Sequence, residues 1–143
     1  MTDILNAIMA IGGTTAHQSP KFAANVLTDC IDGPDVLAAV VAEDQVHLIG
    51  WQSAELWQGE AHIGTFVQPG IQATGVGAAL FPMTRDILTK AGVPSIVASI
   101  RAANTPGFAH YARARFVEFA QDAGFALNDG RVVGRVHRRF PLV

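Results

Sequence analysis

From Glu60 to Ile100 the hydrophobic spacing changes from that of a strand to that of a helix and back, with a glycine-bearing loop at the first change. Glu60–Val67 reads as a strand. After Pro69, Val76, Ala79, Leu80, Met83, Ile87 and Leu88 recur at helical spacing, and Gly92 supplies the stop. Ser95–Ile100 is a continuous apolar run, as in a strand buried on both faces. Strand, loop, helix and strand in this order form a right-handed crossover. Any fold for this chain must accommodate that unit.

The flanking segments say what it is attached to. Val36–Ala42 is a β-rich run, Glu43-Asp44 a turn, and Val46–Ser53 a second run. Trp57-Gln58-Gly59 then turns the chain into Glu60–Val67, so three successive strands predict an antiparallel meander. Beyond the crossover, Asn104–Arg113 reads as a helix, and Phe116–Ala120 and Val132–Phe140 as strands. Two amphipathic helices are expected at the start, one capped by Thr2-Asp3 and running to Ile11, the other from Pro20 to about Ile31. Pro82 falls inside the crossover helix and predicts a kink there. The expected fold is α/β in the α+β sense: a mixed, mainly antiparallel sheet flanked by helices, with one β-α-β crossover. With 143 residues, half of them hydrophobic, and no linker or repeat, residues 1–143 are expected to form one domain.

A formal net charge of −2 gives no general attraction to nucleic acid or to an anionic membrane, and neither is expected as a partner. Seven arginines between Arg101 and Arg139 make the C-terminal third basic, which suits a solvated strand or a phosphate-bearing ligand. Cys30 is the single cysteine, expected to be a buried, inert thiol, so a disulfide framework and a cysteine-based metal site are excluded. The first residues lack the pattern of a signal peptide, and no run approaches the ~20 apolar residues of a membrane span. A reducing cytoplasm is the expected compartment.

The chemistry concentrates in Val67-Gln-Pro-Gly-Ile-Gln72-Ala-Thr74-Gly75-Val76-Gly77-Ala78-Ala-Leu80, where a strand delivers the chain to a loop and a helix leaves it. The first amides of that helix have no intrahelical partner, and the helix dipole adds partial positive charge, a combination suited to pyrophosphate. A Walker loop would need Gly-Lys-Ser/Thr, which is absent. A dinucleotide fingerprint would need a third glycine or alanine where Leu80 stands. The remaining pattern is Q/R-x-x-G-x-G/A, satisfied by Gln72, Gly75 and Gly77. A plain tight helix start is the competing explanation.

A second motif follows Ser95–Ile100: Asn104, then Tyr111 seven residues on, then Phe116 closing the helix. With both motifs in this order, residues 36–140 resemble the GCN5-related N-acetyltransferases, although Arg115 stands where that family carries a glycine. The resemblance implies acetyl-CoA as acyl donor, no metal, and direct attack by a primary amine of a small molecule or peptide. It implies that Thr65 and Val67 offer backbone groups to pantetheine, and that Gln72, Thr74, Gly75, Val76, Gly77 and Ala78 surround the pyrophosphate. It implies that Asn104 holds the pantetheine arm or its loop, and that Tyr111 is the acid for the departing thiolate. Glu60 and His62, on one face of their strand with Phe66, are candidate bases; Ala61 occupies the family's usual base position. His17, His110 and His137 are expected to serve solvent or packing roles. A non-enzymatic acyl-CoA-binding regulatory module is the alternative function, a nucleotide-dependent oxidoreductase a weaker one, and a homodimer is left open.

Overall fold

The computed structural model describes Asp3 and residues 31–143, apart from Val46, residues 72–74 and residues 127–128. The expected N-terminal helices and Cys30 lie outside the described residues. In chain order the elements are β1 (Val36–Asp44), β2 (His47–Trp57), β3 (Glu60–Val67), α1 (Val76–Lys90), β4 (Ser95–Arg101), α2 (Thr105–Arg113), β5 (Val117–Ala126) and β6 (Val132–Pro141). The six strands form one sheet in the order β1-β2-β3-β4-β6-β5. Among the described strands only β3 and β4 pair in parallel, across the α1 crossover. The other pairs are antiparallel, so the sheet is mixed as the sequence implies.

Turn chemistry sets the register that later matters at the site. Gln58 and Gly59 both have positive φ (51° and 80°), the signature of a two-residue hairpin turn. They pair Trp57 with Glu60 and, further back, Gln52 with Thr65. Two strands outrun their apolar signal. β2 continues to Trp57, and β5 continues to Ala126 rather than ending at Ala120. In β5 the extension, residues 121–126, has no alternating apolar period and is carried by ladder pairing to β6 across a register shift between Asp122 and Phe125, with Asp122 ion-paired to Arg135 at 3.1 Å.

The core lies between the sheet and the two helices. Ala38, Ala54, Ile63, Ile96, Ala98 and Ile100 point from the strands to Phe81 and Leu88 of α1 and Tyr111 of α2. Phe81, Phe116 and Phe140 meet in tilted and edge-on contacts with ring centroids within 5.5 Å of one another, joining α1, the α2–β5 turn and β6. α1 continues through Pro82 as one helix.

Both helices end in the same way. After α1, Gly92 donates to the Thr89 carbonyl and Val93 to Leu88, with Gly92 at φ 78°. After α2, Arg115 donates to Ala112 and Phe116 to Tyr111, with Arg115 at φ 70°. This is the Schellman arrangement, whose left-handed position favours glycine. Arg115 therefore adopts the turn that a glycine would make, at a cost in backbone strain. Arg115→Gly should raise the unfolding free energy by about 1 kcal/mol and the melting temperature by a few degrees. An unchanged urea midpoint would mean that the arginine side chain offsets the strain.

Candidate active site

Strands β3 and β4 pair only at Ala61↔Ile96 and His62↔Val97. β3 runs on to Val67 and β4 to Arg101, so the two strands part and leave a slit between them. The loop after β3 and the start of α2 after β4 both lie at its open end. Thr65 sits on the parted stretch of β3, and Val67 at its end pairs with Gly50 of β2.

The helix start beside the slit has the expected form. Gly75 is the N-cap of α1 at φ 94°, a backbone conformation that favours glycine, and among the described residues no side chain caps the helix. The first intrahelical bond runs from Ala79 N–H to the Gly75 carbonyl, so the amides of Val76, Gly77 and Ala78 precede the ladder. No acid occupies the first turn, and Ala78 is exposed. Val76 seats the turn on the sheet, because a Cβ at Gly50 would lie 3.1 Å from Val76 Cγ1. Gln72 and Thr74 lie outside the described residues. Gly77 differs from the sequence reading in its reason: a Cβ there would meet the His110 ring at 2.8 Å. Its missing side chain makes room for α2 as well as for any ligand. The His110 imidazole, packed there and edge-on to Tyr111 at 4.7 Å, has its pKa lowered by burial and then by Arg113.

Tyr111 is buried in the core, with its ring 5.0 Å from Phe116. Its hydroxyl is 2.9 Å from Thr65 Oγ1, which accepts a hydrogen bond from Gln52 Nε2 at 2.8 Å. Burial pushes the phenol up to about 12, against a smaller lowering by the Thr65 hydrogen bond. Gln52, fully buried, was not singled out from sequence. Asn104 caps α2, its Oδ1 accepting from Gly107 N–H at 3.0 Å.

Glu60 and His62 lie on the other face of the sheet, as strand alternation predicts. Both line a cavity of about 340 Å³ walled by Trp57 and Phe119. Glu60 is ion-paired with Arg139. The His62 ring meets Trp57 edge-on at 5.2 Å, and its pKa is lowered, chiefly by burial, against the raising effect of Glu60. His137 lines the same cavity, with Nδ1 2.8 Å from Ser99 Oγ. Among the described residues no group of three or more His, Cys, Asp or Glu could hold a metal ion. No described helix is long and apolar enough to cross a membrane.

No family model matches the sequence, and no curated protein matches it significantly. Solved structures do. A phosphinothricin acetyltransferase of the GNAT superfamily from Sinorhizobium meliloti, in complex with acetyl-CoA, superposes with a TM-score of 0.83 over 98% of this chain and 80% of its own, at 19% identity. An N-acetyltransferase from Staphylococcus aureus Mu50 gives 0.82 over 99% and 90%, at 11% identity. The ribosomal-protein-S18-alanine N-acetyltransferase from Escherichia coli gives 0.73 over 99% and 84%, at 20% identity. The chain has the fold of these proteins.

Proposed function

We propose that this chain, which has the GCN5-related N-acetyltransferase fold, moves an acetyl group from acetyl-CoA to a primary amine of a small molecule or peptide in a reducing cytoplasm. The observation that carries the reading is the parting of β3 and β4 directly beside an uncapped, acid-free helix N-terminus. A slit between strands suits an extended pantetheine arm, whose amides need backbone partners. The helix start suits the pyrophosphate that such an arm carries. The structures with the same fold include one with acetyl-CoA bound, which supports that donor.

The residues present fit the donor. The amides of Val76, Gly77 and Ala78 would hold the pyrophosphate, and the parted end of β3 around Thr65 and Val67 would take the arm. Asn104 shapes the opposite lip by capping α2. Acetyl-CoA supplies an activated acyl thioester. With Gln52 donating to Thr65, the Thr65 proton can turn to the Tyr111 oxygen, leaving the Tyr111 proton to face developing negative charge on sulfur.

Acetyl-CoA should raise the melting temperature and NADPH should not, because a ligand that binds only the native state stabilises it. A shift with NADPH and none with acetyl-CoA would overturn the reading. Free-thiol release with an amine panel separates an enzyme from a regulatory acyl-CoA-binding module, which would bind without turnover.

A further inference from the structure

The cavity on the face opposite α1 and α2 has the size of a small-ligand site. It also adjoins the slit. His62 and Val97 form the last β3–β4 pair, while Ser99 lies two residues further along β4 and faces His137 of β6 in register. Ala98 and Ile100 point the other way, into the core with Tyr111. An acyl group laid between the parted strands is therefore open to Tyr111 on one face and to His137 on the other.

We propose that this cavity takes a small primary amine with an apolar body, and that His137 is the base that removes its proton. The inference rests on the acetyl-transfer reading above. Charge and packing select both the residue and the ligand class. Glu60 is held in its ion pair by Arg139, whose guanidinium also lies 4.3 Å over the Phe119 ring. That ion pair already occupies its carboxylate. His62 stands at the paired end of the strands, against Trp57. His137 stands at the parted end, and an Nδ1–H donated to Ser99 leaves the Nε2 lone pair for the amine. Among the described residues the groups facing it are His62 and Glu60 from β3, Ser99 from β4, Asp122 from β5, and Arg135 and Arg139 from its own strand. Burial first and Arg135 second lower its pKa, against Asp122, which favours the neutral ring that can accept a proton. The two guanidiniums are matched by Glu60 and Asp122. Such balanced charge between aromatic walls suits an apolar body and gives an anionic acceptor no excess positive charge.

The arriving ammonium gives one proton to His137 Nε2. Its nitrogen then forms the bond to the acyl carbon as the carbon–sulfur bond breaks and that electron pair leaves on sulfur. The surplus proton of the nitrogen ends on sulfur, and the imidazolium releases its own to solvent. The probes are tyramine and glutamate. Tyramine should be acetylated with at least a tenfold higher kcat/KM than glutamate. His137→Gln should keep the acetyl-CoA thermal shift, lose at least a hundredfold in thiol release at pH 7, and recover as pH approaches the amine's own pKa. Independently of turnover, the imidazole resonance that disappears in His137→Gln should titrate below pH 6.5 in the wild type and move when tyramine is added to the CoA-loaded protein. A wild-type rate and pH profile in His137→Gln, an unmoved resonance, a preference for glutamate, or no thiol release from either amine by a protein that binds acetyl-CoA would each overturn the inference. Absence of acetyl-CoA binding would instead sink the acetyl-transfer reading.

Discussion

Ala78→Glu is expected to give a folded protein, at least as stable as the wild type, that no longer responds to acetyl-CoA. Ala78 is the third residue of α1 and is exposed. A carboxylate there meets the positive end of the helix dipole and should add roughly 0.3–1 kcal/mol to stability. The same charge stands where, in the proposed binding mode, pyrophosphate would approach. At about 4–5 Å and an effective dielectric constant of about 20, each pair of like charges costs about 3–4 kcal/mol, so the Kd should rise at least a hundredfold. Ala78→Gln adds the bulk without the charge and should lose much less. Gly77 is a poorer position for this test, because any side chain there would collide with His110 before meeting a ligand. Calorimetry and thermal shift on one preparation check both halves of the expectation. An unchanged Kd for acetyl-CoA in a folded Ala78→Glu protein would reduce the loop to a helix start.

The crossover was readable because its hydrophobic period changes twice within 41 residues, and each change is marked by glycine or proline. Alternation along β3 was readable for the same reason. It separated Glu60 and His62 from Ile63 and Thr65, and the structure puts them on opposite faces. Gln52 could have been found. Counting back from a two-residue turn at Gln58-Gly59 pairs it with Thr65, and a glutamine inside an apolar strand calls for such a partner. The Ser99–His137 pair had no comparable signal. It requires β6 to insert between β4 and β5, and its register is fixed by long-range pairing next to the two irregularities of β5. Those irregularities also hid the length of β5, since they break the period of two. Arg115 shows the limit of matching residue types: the family glycine is absent, yet the glycine conformation is kept.

Tyr111→Phe should lower turnover tenfold to a thousandfold while acetyl-CoA affinity changes little. Its pKa of about 12 bears on how the hydroxyl acts. An alkyl thiol titrates near 8.5, so full transfer of the phenol proton to a thiolate runs uphill by roughly 5 kcal/mol. In the proposed transfer the hydroxyl would therefore serve best as a hydrogen-bond donor to sulfur as charge develops, and loss of one such donor costs about 10²–10³ in rate. The variant keeps the ring against Phe116 and His110 and deletes only the link to Thr65. A purely structural tyrosine would lose about 1 kcal/mol of stability and keep its turnover. The pH dependence gives a separate check. The folded pKa lies above the unfolded value of 10, so the native state holds this proton more tightly. The resulting stability, about 2–3 kcal/mol, is complete below pH 10 and is lost as pH rises towards 12. Tyr111→Phe should lack that loss. Tyr111 is the one tyrosine in the chain, so tyrosinate absorbance reports it alone, and its midpoint should lie near 12 in the folded protein. Any alkaline fall in rate from Tyr111 ionisation should also wait until that range, well above the histidine limb. A midpoint near 10 would show that the hydroxyl is not held in the buried Gln52–Thr65 chain. Normal turnover in Tyr111→Phe would remove the residue from the chemistry.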